Sequence, residues 1–276
     1  MFEELLVQLV AFIKTYIIFW LLFVFLELLF PYKKQKIFSG QFLNEIVNGL
    51  FNTILISPIN KIIYTLLLVY VFTPYLPFQL FNETIQTWPF ALQFLAGVVL
   101  MDFIQYTRHR FTHRFIWDFH ATHHAALELR PTSHFRMHPL DYIVSHFFTV
   151  TMMYILGFEG HIIAWSIYFA TIHNMWLHVN INLDYGFPLR HVFASPNYHK
   201  WHHAKGAEGK DKNFADIFPI FDILGGTYYY PKGQLPESYG VMRVDNTDPL
   251  YQSFSGAFMY PFKEMYKQFK KRKASS

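Results

Sequence analysis

Five histidines fall within residues 109–124, HRFTHRFIWDFHATHH, in the spacings HxxxH and HxxHH. A second HxxHH, in NYHKWHH with His199, His202 and His203, follows about eighty residues later. Imidazole is a good ligand for iron, zinc, copper and nickel, and residues three or four apart on a helix share a face, so each box can turn its rings toward one ion. With 15 histidines among 276 residues, an HxxHH arises by chance about 0.04 times in such a chain. Two of them, plus the HxxxH, are not accidental.

This pattern constrains the fold through reach. On one straight helix His109, His113, His120, His123 and His124 would fall within about a 100° arc, but the first and last would stand about 22 Å apart. Two neighbouring metals cannot span that length. The chain must therefore bend between His113 and His120, around Trp117 and Asp118, although no Pro or Gly marks the place.

The segments before the boxes set the class. Residues 5–31 are almost continuously apolar, interrupted by Lys14 and Glu27, and are long enough as a helix to cross a bilayer core of about 30 Å. The run is too long for a cleaved signal peptide and lacks its basic start and cleavage site. Pro31 and Lys33, Lys34 and Lys36 end it, and the positive-inside tendency puts that cluster in the cytoplasm. A second apolar region, residues 46–72, holds Pro58, Asn60 and Lys61 and reads as one kinked crossing or two shorter pieces; we take it as one. The loop at 73–87 has no Lys or Arg and fits the opposite side. A third span, residues 88–106, returns the chain to the cytoplasm, where Arg108, Arg110 and Arg114 meet the interface and the first box begins. Composition agrees: 53% of residues are hydrophobic, 20% aromatic and only 15% charged, the balance of a membrane protein.

A fourth apolar region is a hairpin, residues 142–156 and 162–177 around the GFEG turn. Each arm is short for a full crossing and suits a tilted or re-entrant pair. Both ends emerge on one face, so His138, His173 and His178 are delivered to the side of the boxes. On a helix Asn174 and His178 share a face while His173 is rotated away. His178 is the favoured ligand, Asn174 a direct or water-mediated one, and His173 either a ligand or a partner that orients one. His138, in RMHP, is a weaker candidate. His134, His146, His161 and His191 have no partner at ligand spacing and read as polar or interface residues. The chain ends in a basic amphipathic tail at 263–273, either a solvated helix end or a binder of anionic headgroups.

Eight box histidines plus one or two others exceed the four ligands of a zinc site and point to two metals. The absence of cysteine removes disulfides, thiolate zinc sites and Cys-ligated clusters. No ExxH pairs of a soluble di-iron bundle occur. A zinc hydrolase would show a carboxylate base among its ligands; Asp118, Glu128 and Asp216 are available, but none lies in a hydrolase-like motif. A net charge of +4, placed beside apolar segments and at the C-terminus, fits a membrane surface, and no aromatic-interleaved basic patch argues for nucleic acid. Phe111, Phe115, Trp117, Phe119 and Trp201 around the boxes could line a lipid channel, but in so aromatic a chain packing is the default.

The boxes HRFTH and HATHH, a hairpin ending in LHVN, PNYHKWHH, and then KNFADIFPIFDILGGT resemble the fatty acid hydroxylase and sterol desaturase superfamily of integral-membrane non-haem di-iron oxygenases. The resemblance covers about residues 95–230 and is specific for the superfamily, not for the substrate. It implies that His109, His113, His120, His123, His124, His178, His199, His202 and His203 hold two irons, with zinc possible in a purified sample. It also implies O2 as co-substrate and attack on an unactivated C–H bond of a fatty acyl chain, a sterol or a related lipid. Asn213, Phe214 and Asp216 match an element expected to orient ligands. Phe221 stands where a Trp is common, Gly225 where an aromatic often precedes Gly-Thr, and Asn174 where some members have a His. No haem or flavin module occurs in the chain, so a separate electron donor is implied, a cytochrome b5-like protein, a ferredoxin or a reductase.

The expectation is therefore an all-α integral membrane protein with about three transmembrane helices, a re-entrant or spanning hairpin, and a cytoplasmic-face helical domain holding a histidine-rich dimetal site. Residues 1–94 form the N-terminal transmembrane region, 95–230 the catalytic domain and 231–276 a C-terminal extension. The membrane would be a bacterial inner membrane or the endoplasmic reticulum. Hydroxylation, desaturation and ether-lipid cleavage share one ligand set, and spacing does not choose among them. A metal transporter or sensor should instead line a pathway through its spans with polar residues. Here the histidines gather at span ends and the spans are nearly free of acidic residues.

Overall fold

The computed structural model of the chain describes residues 2–67, 70, 71, 74, 79–242 and 244–274. Among them there is no strand, only the isolated bridges Pro31 to Ile181 and Ala204 to Tyr239. The helices that matter here are α1 (Phe2–Leu29), α2 (Gly40–Leu67), α3 (Phe90–Phe115), α4 (Trp117–His124), α5 (Pro139–Ile155), α6 (Gly160–Leu177), α7 (Pro196–His202), α8 (Ile220–Leu224) and α9 (Phe254–Ala274).

Helix α2 begins earlier than the apolar pattern alone predicts, because Ser39 caps it by accepting the Phe42 amide at 3.2 Å. It runs on as one helix; a π turn over Asn52–Ile56 just before Pro58 absorbs the lost hydrogen bond. The predicted end of this span at Phe72, and residues 73 and 75–78 of the loop after it, lie outside the described residues. Among the described residues α2 and α3 are long and apolar enough to cross a membrane by length and composition. The outer face of α1 also leaves Ile18, Leu21, Phe25 and Leu28 exposed, as α2 leaves Leu50, Ile54 and Ile62. Apolar patches of this extent mark a lipid-facing surface.

The hairpin arms α5 and α6 pack on α3 through Met101, Ile104, Met153, Phe158, Ile162 and Ile163. Gly97 allows this close crossing, since a Cβ there would stand 2.8 Å from Ser166 Oγ and 3.0 Å from Ile162 Cγ2. At 17 and 18 residues, the arms measure about 26–27 Å. The hairpin turns at Gly157, whose φ of 104° places it where a side chain would be strained. Helix α9 lays Ala257 and Tyr260 against Ala121 of α4 and Ala125 just after it, then extends Met265, Tyr266 and Phe269 into exposure among its lysines.

Candidate metal centre

His109 and His113 occupy the last turns of α3. The helix stops at Phe115, and Ile116 adopts φ −131° and ψ 32°, outside the helical region, before α4 resumes in a new direction. The bend required by reach therefore falls one residue before Trp117. It brings α4 back against α3, so that His109 Nε2 lies 3.0 Å from His120 Nε2 and His113 Nε2 lies 3.2 Å from His124 Nε2. Helix α7, with Pro196 in its first turn and Ser195 accepting the Tyr198 amide at 3.2 Å, adds His202 to this first group.

The second group is His123 of α4, His178 at the end of α6, and His199 and His203 of α7. The Nε2 atoms of His178, His199 and His203 form a triangle with edges of 3.2, 3.2 and 3.1 Å. Within each group one ring nitrogen per residue lies within 4.8 Å of all the others. Adjacent residues serve different groups: His123 and His124 part company, as do His202 and His203.

The hydrogen bonds fix which nitrogen faces inward. A carbonyl only accepts, so Nδ1 carries the proton in His109, which donates to Phe214 O at 3.0 Å, in His178, which donates to Asn174 O at 2.7 Å, and in His202, which donates to Lys212 O at 2.8 Å. His120 Nδ1 donates to the Asp141 carboxylate at 2.7 Å and His113 Nδ1 to that of Asp211 at 3.2 Å. Each Nε2 is left with a lone pair pointing into its group, and that of His202 has no hydrogen-bond partner. Burial, reinforced by neighbouring imidazoles, holds His123, His124, His199 and His203 well below the usual imidazole range, and burial lowers His178 to about 4. The rings are neutral at pH 7, the state that binds metals.

The residues fit metal ions. Two nitrogens on a common ion at about 2.1 Å stand about 3.0–3.4 Å apart, and the observed edges of 3.0–3.2 Å match. Without a cation, the inward lone pairs of His109 and His120 would repel each other at 3.0 Å in a site closed to water. An all-imidazole donor set suits iron, zinc, copper or nickel.

Outer partners hold the rings. Asp141 is fully buried; burial would raise its pKa, but His120 and Arg108 beside it outweigh that and hold the carboxyl below its usual range. Asn213, at φ 57°, ties the loop to α7 by donating to Tyr198 O and Tyr229 O and accepting from Tyr229 N. Asp222 of α8 accepts the amides of Phe214 and Ala215 and the hydroxyls of Thr227 and Tyr198, which aims the Phe214 carbonyl at His109. Asp102 of α3 accepts the amides of Asp216, Ile217 and Phe218 at 2.7–3.0 Å.

The nine box and hairpin histidines named from sequence make up the two groups. The other candidates lie outside them. His138 caps α5: its Nδ1 accepts the Leu140 amide and its Nε2 donates to Phe258 O, so neither nitrogen is left for a metal. His173 lies outside both groups, and its Nδ1 has no hydrogen-bond partner. Asn174 orients His178 through its carbonyl, and its side-chain amide donates to Ala170 O. Asn213 and Asp216 lie outside both groups. Sequence reasoning missed Asp141 and Asp211, whose histidine partners are distant in the chain, and Asp222, which acts on the nearby Phe214–Ala215 turn and on Tyr198. His161 pairs with Glu159 at 3.1 Å and His146 donates to Tyr142 O. Two departures from the family pattern are packed: Phe221 lies 5.4 Å from the Phe103 ring, and the Tyr106 hydroxyl fills the space over Gly225.

Residues 94–227 match the fatty acid hydroxylase family model. The chain is 28% identical over 177 residues to ornithine lipid hydroxylase OlsE of Rhizobium tropici, covering 63% of this chain and 52% of that protein. It is 26% identical over 193 residues to alkylglycerol monooxygenase of Homo sapiens, covering 69% of this chain and 41% of the relative, and 27% identical over 167 residues to that of Xenopus tropicalis, covering 60% and 35%. The chain thus spans about half or less of the length of these curated relatives. No solved structure matches it. Residues 94–227, which carry both histidine groups, belong to the fatty acid hydroxylase family.

Proposed function

We propose that the two histidine groups hold two iron ions and that the protein is a membrane-bound oxygenase that hydroxylates or desaturates a lipid. The observation that carries this reading is the pair of adjacent, buried, all-imidazole groups at metal-ligand spacing. His109, His113, His120, His124 and His202 would hold one ion, and His123, His178, His199 and His203 the other. When bound, the pair supplies the redox chemistry that activates O2. Hydroxylation of a C–H bond then takes one O2, two electrons and two protons, and yields the alcohol and one water; the electrons come from a separate donor of the cytochrome b5, ferredoxin or reductase type.

The chain's own residues prepare the site. Asp141, Asp211 and the carbonyls of Phe214, Asn174 and Lys212 hold the protons of five rings on Nδ1 and keep Nε2 inward. Burial of the rings excludes bulk water. The basic residues Lys33, Lys34 and Lys36 support a cytoplasmic position for this face.

The alkylglycerol monooxygenase matches favour a second reading within the same chemistry, oxidation beside an ether oxygen followed by loss of the alkyl chain. A metal transporter is disfavoured because the histidines form one closed centre and do not line a path. Comparative lipidomics of cells with the wild-type chain and with His123→Ala separates the readings. A hydroxylated or newly unsaturated lipid that appears only with the wild type supports the first, and depletion of ether lipids the second. An active His123→Ala variant that inserts normally would sink both.

A further inference from the structure

A cavity of about 200 Å³ lies between the end of α1 and the segment that leads into α2. One wall is apolar, formed by Trp20, Val24 and Leu28 of α1. The other end holds Lys33, Lys34 and Arg130, with a single carboxylate, Glu27, which accepts the Asn180 amide at 2.6 Å. Lys33 and Lys34 thus outnumber the one lining carboxylate, whereas the charge of Arg130 is already met by Glu128 and by Glu45 at 3.9 Å. Arg130 is buried and fixed, donating to Lys36 O and Ile37 O and pairing with Glu128. Lys33 donates to Glu237 O at 2.8 Å, whereas Lys34 is exposed and has no hydrogen bond or ion pair among the described residues.

The position of this cavity matters as much as its lining. The apolar run of α1 ends at Pro31, so the cavity straddles the boundary between a lipid-facing helix and a basic loop. Leu28, which lines its apolar side, is exposed, as are Leu29 and Phe30 next in the chain. Such a mouth, apolar along a membrane helix and cationic at its end, matches the layout of a lipid whose headgroup is an anion. We propose that this cleft binds a lipid with an anionic headgroup, phosphate or carboxylate, its charge held by Lys34 and Lys33 and its first methylenes against Trp20, Val24 and Leu28.

The volume is that of a headgroup, and the rest of the chain would run along the exposed face of α1. The cleft floor is Asn180, two residues past His178, whose side-chain amide donates to Lys33 O and whose carbonyl accepts the Tyr32 amide. A lipid seated there is therefore fastened to the segment that follows a histidine of the centre. The assignment holds whichever reaction the centre performs.

The test uses the full-length protein purified in detergent, with retained lipid read by native mass spectrometry after exposure to phosphatidylglycerol, diacylglycerol or glycerol 3-phosphate. Phosphatidylglycerol should be retained and the other two should not. Lys34→Glu, on an exposed side chain that leaves the fold intact, should lower retention about fivefold or more. Val24→Trp, which fills the apolar wall, should lower it as well. Equal retention of diacylglycerol would overturn the proposal by removing the need for an anion. Equal binding of glycerol 3-phosphate would reassign the cleft to a soluble anion, and retention unchanged in Lys34→Glu would place the lipid elsewhere.

Discussion

His109 Nε2 stands 3.0 Å from His120 Nε2 while both Nδ1 protons are already committed, one to the Phe214 carbonyl and one to the Asp141 carboxylate. Two lone pairs held face to face in a buried site are stable only around a cation, so the ring partners decide how well the site holds one.

Asp141 is the most consequential of those partners because it is buried and bears the charge that balances Arg108. Asp141→Asn keeps the shape but offers His120 a weaker acceptor and permits the wrong tautomer. Metal content or turnover should fall about 10–100-fold, with metal per chain measured by elemental analysis. Asp211→Asn should cost less, since Asp211 is exposed and its bond to His113 is longer, at 3.2 Å. Equal losses in the two variants would refute this ranking.

Acid should unfold the metal-free protein early. His178 sits at about 4 in the folded chain against an ordinary 6.5, because burial disfavours the imidazolium. The unfolded chain binds the extra proton first, so the stability this ring contributes is full above pH about 6.5 and is lost as pH falls through about 4. The other buried histidines shift the same way and steepen the loss. Thermal melts of metal-stripped protein in detergent should move to lower temperature across that window. A flat profile would show that the rings are not buried as neutral groups.

Gly225 is tested by filling it. A Cβ at 225 would overlap the Tyr106 hydroxyl, which also accepts from Arg110 at 2.8 Å. Gly225→Ala should cost about 1–3 kcal/mol, seen as a lower melting temperature. Adding Tyr106→Phe should recover part of the loss by clearing the oxygen. No recovery would mean that the hydroxyl is not the obstacle.

Lys200 is fully buried between two metal-group histidines in sequence, and its ammonium donates to Val179 O at 3.0 Å and Ile181 O at 2.8 Å. Burial lowers its pKa to about 7, against the opposing pull of Glu27. Lys200→Met keeps the bulk but strands two carbonyls just after His178, at a cost of about 1–3 kcal/mol for each. The melting temperature should drop, and metal should be lost from the centre. A variant as stable as the wild type would show that water satisfies those carbonyls.

The histidine pattern was legible because the spacing of ligands along a helix is local, and reach required a break between His113 and His120, expected around Trp117 and Asp118 and found at Ile116. The orienting carboxylates were not. Asp141 meets His120 across 21 residues and Asp211 meets His113 across 98, and contacts made only by tertiary folding leave no period in the sequence. His138 misled for the opposite reason. Pro139 after it opens α5 and makes it a cap, a local role that outweighs its nearness to the boxes. The early start of α2 likewise depends on a serine cap, which apolar periodicity does not register.

The split of His123 from His124, and of His202 from His203, gives the centre a fixed gauge. Neighbouring α-carbons are about 3.8 Å apart across a trans peptide, and two such steps, on helices packed from different parts of the chain, clamp the separation of the halves. Neither half can loosen while the other stays in register. Shifting α4 or α7 by a single residue would scramble both at once, so the centre should assemble, and fail, as one unit.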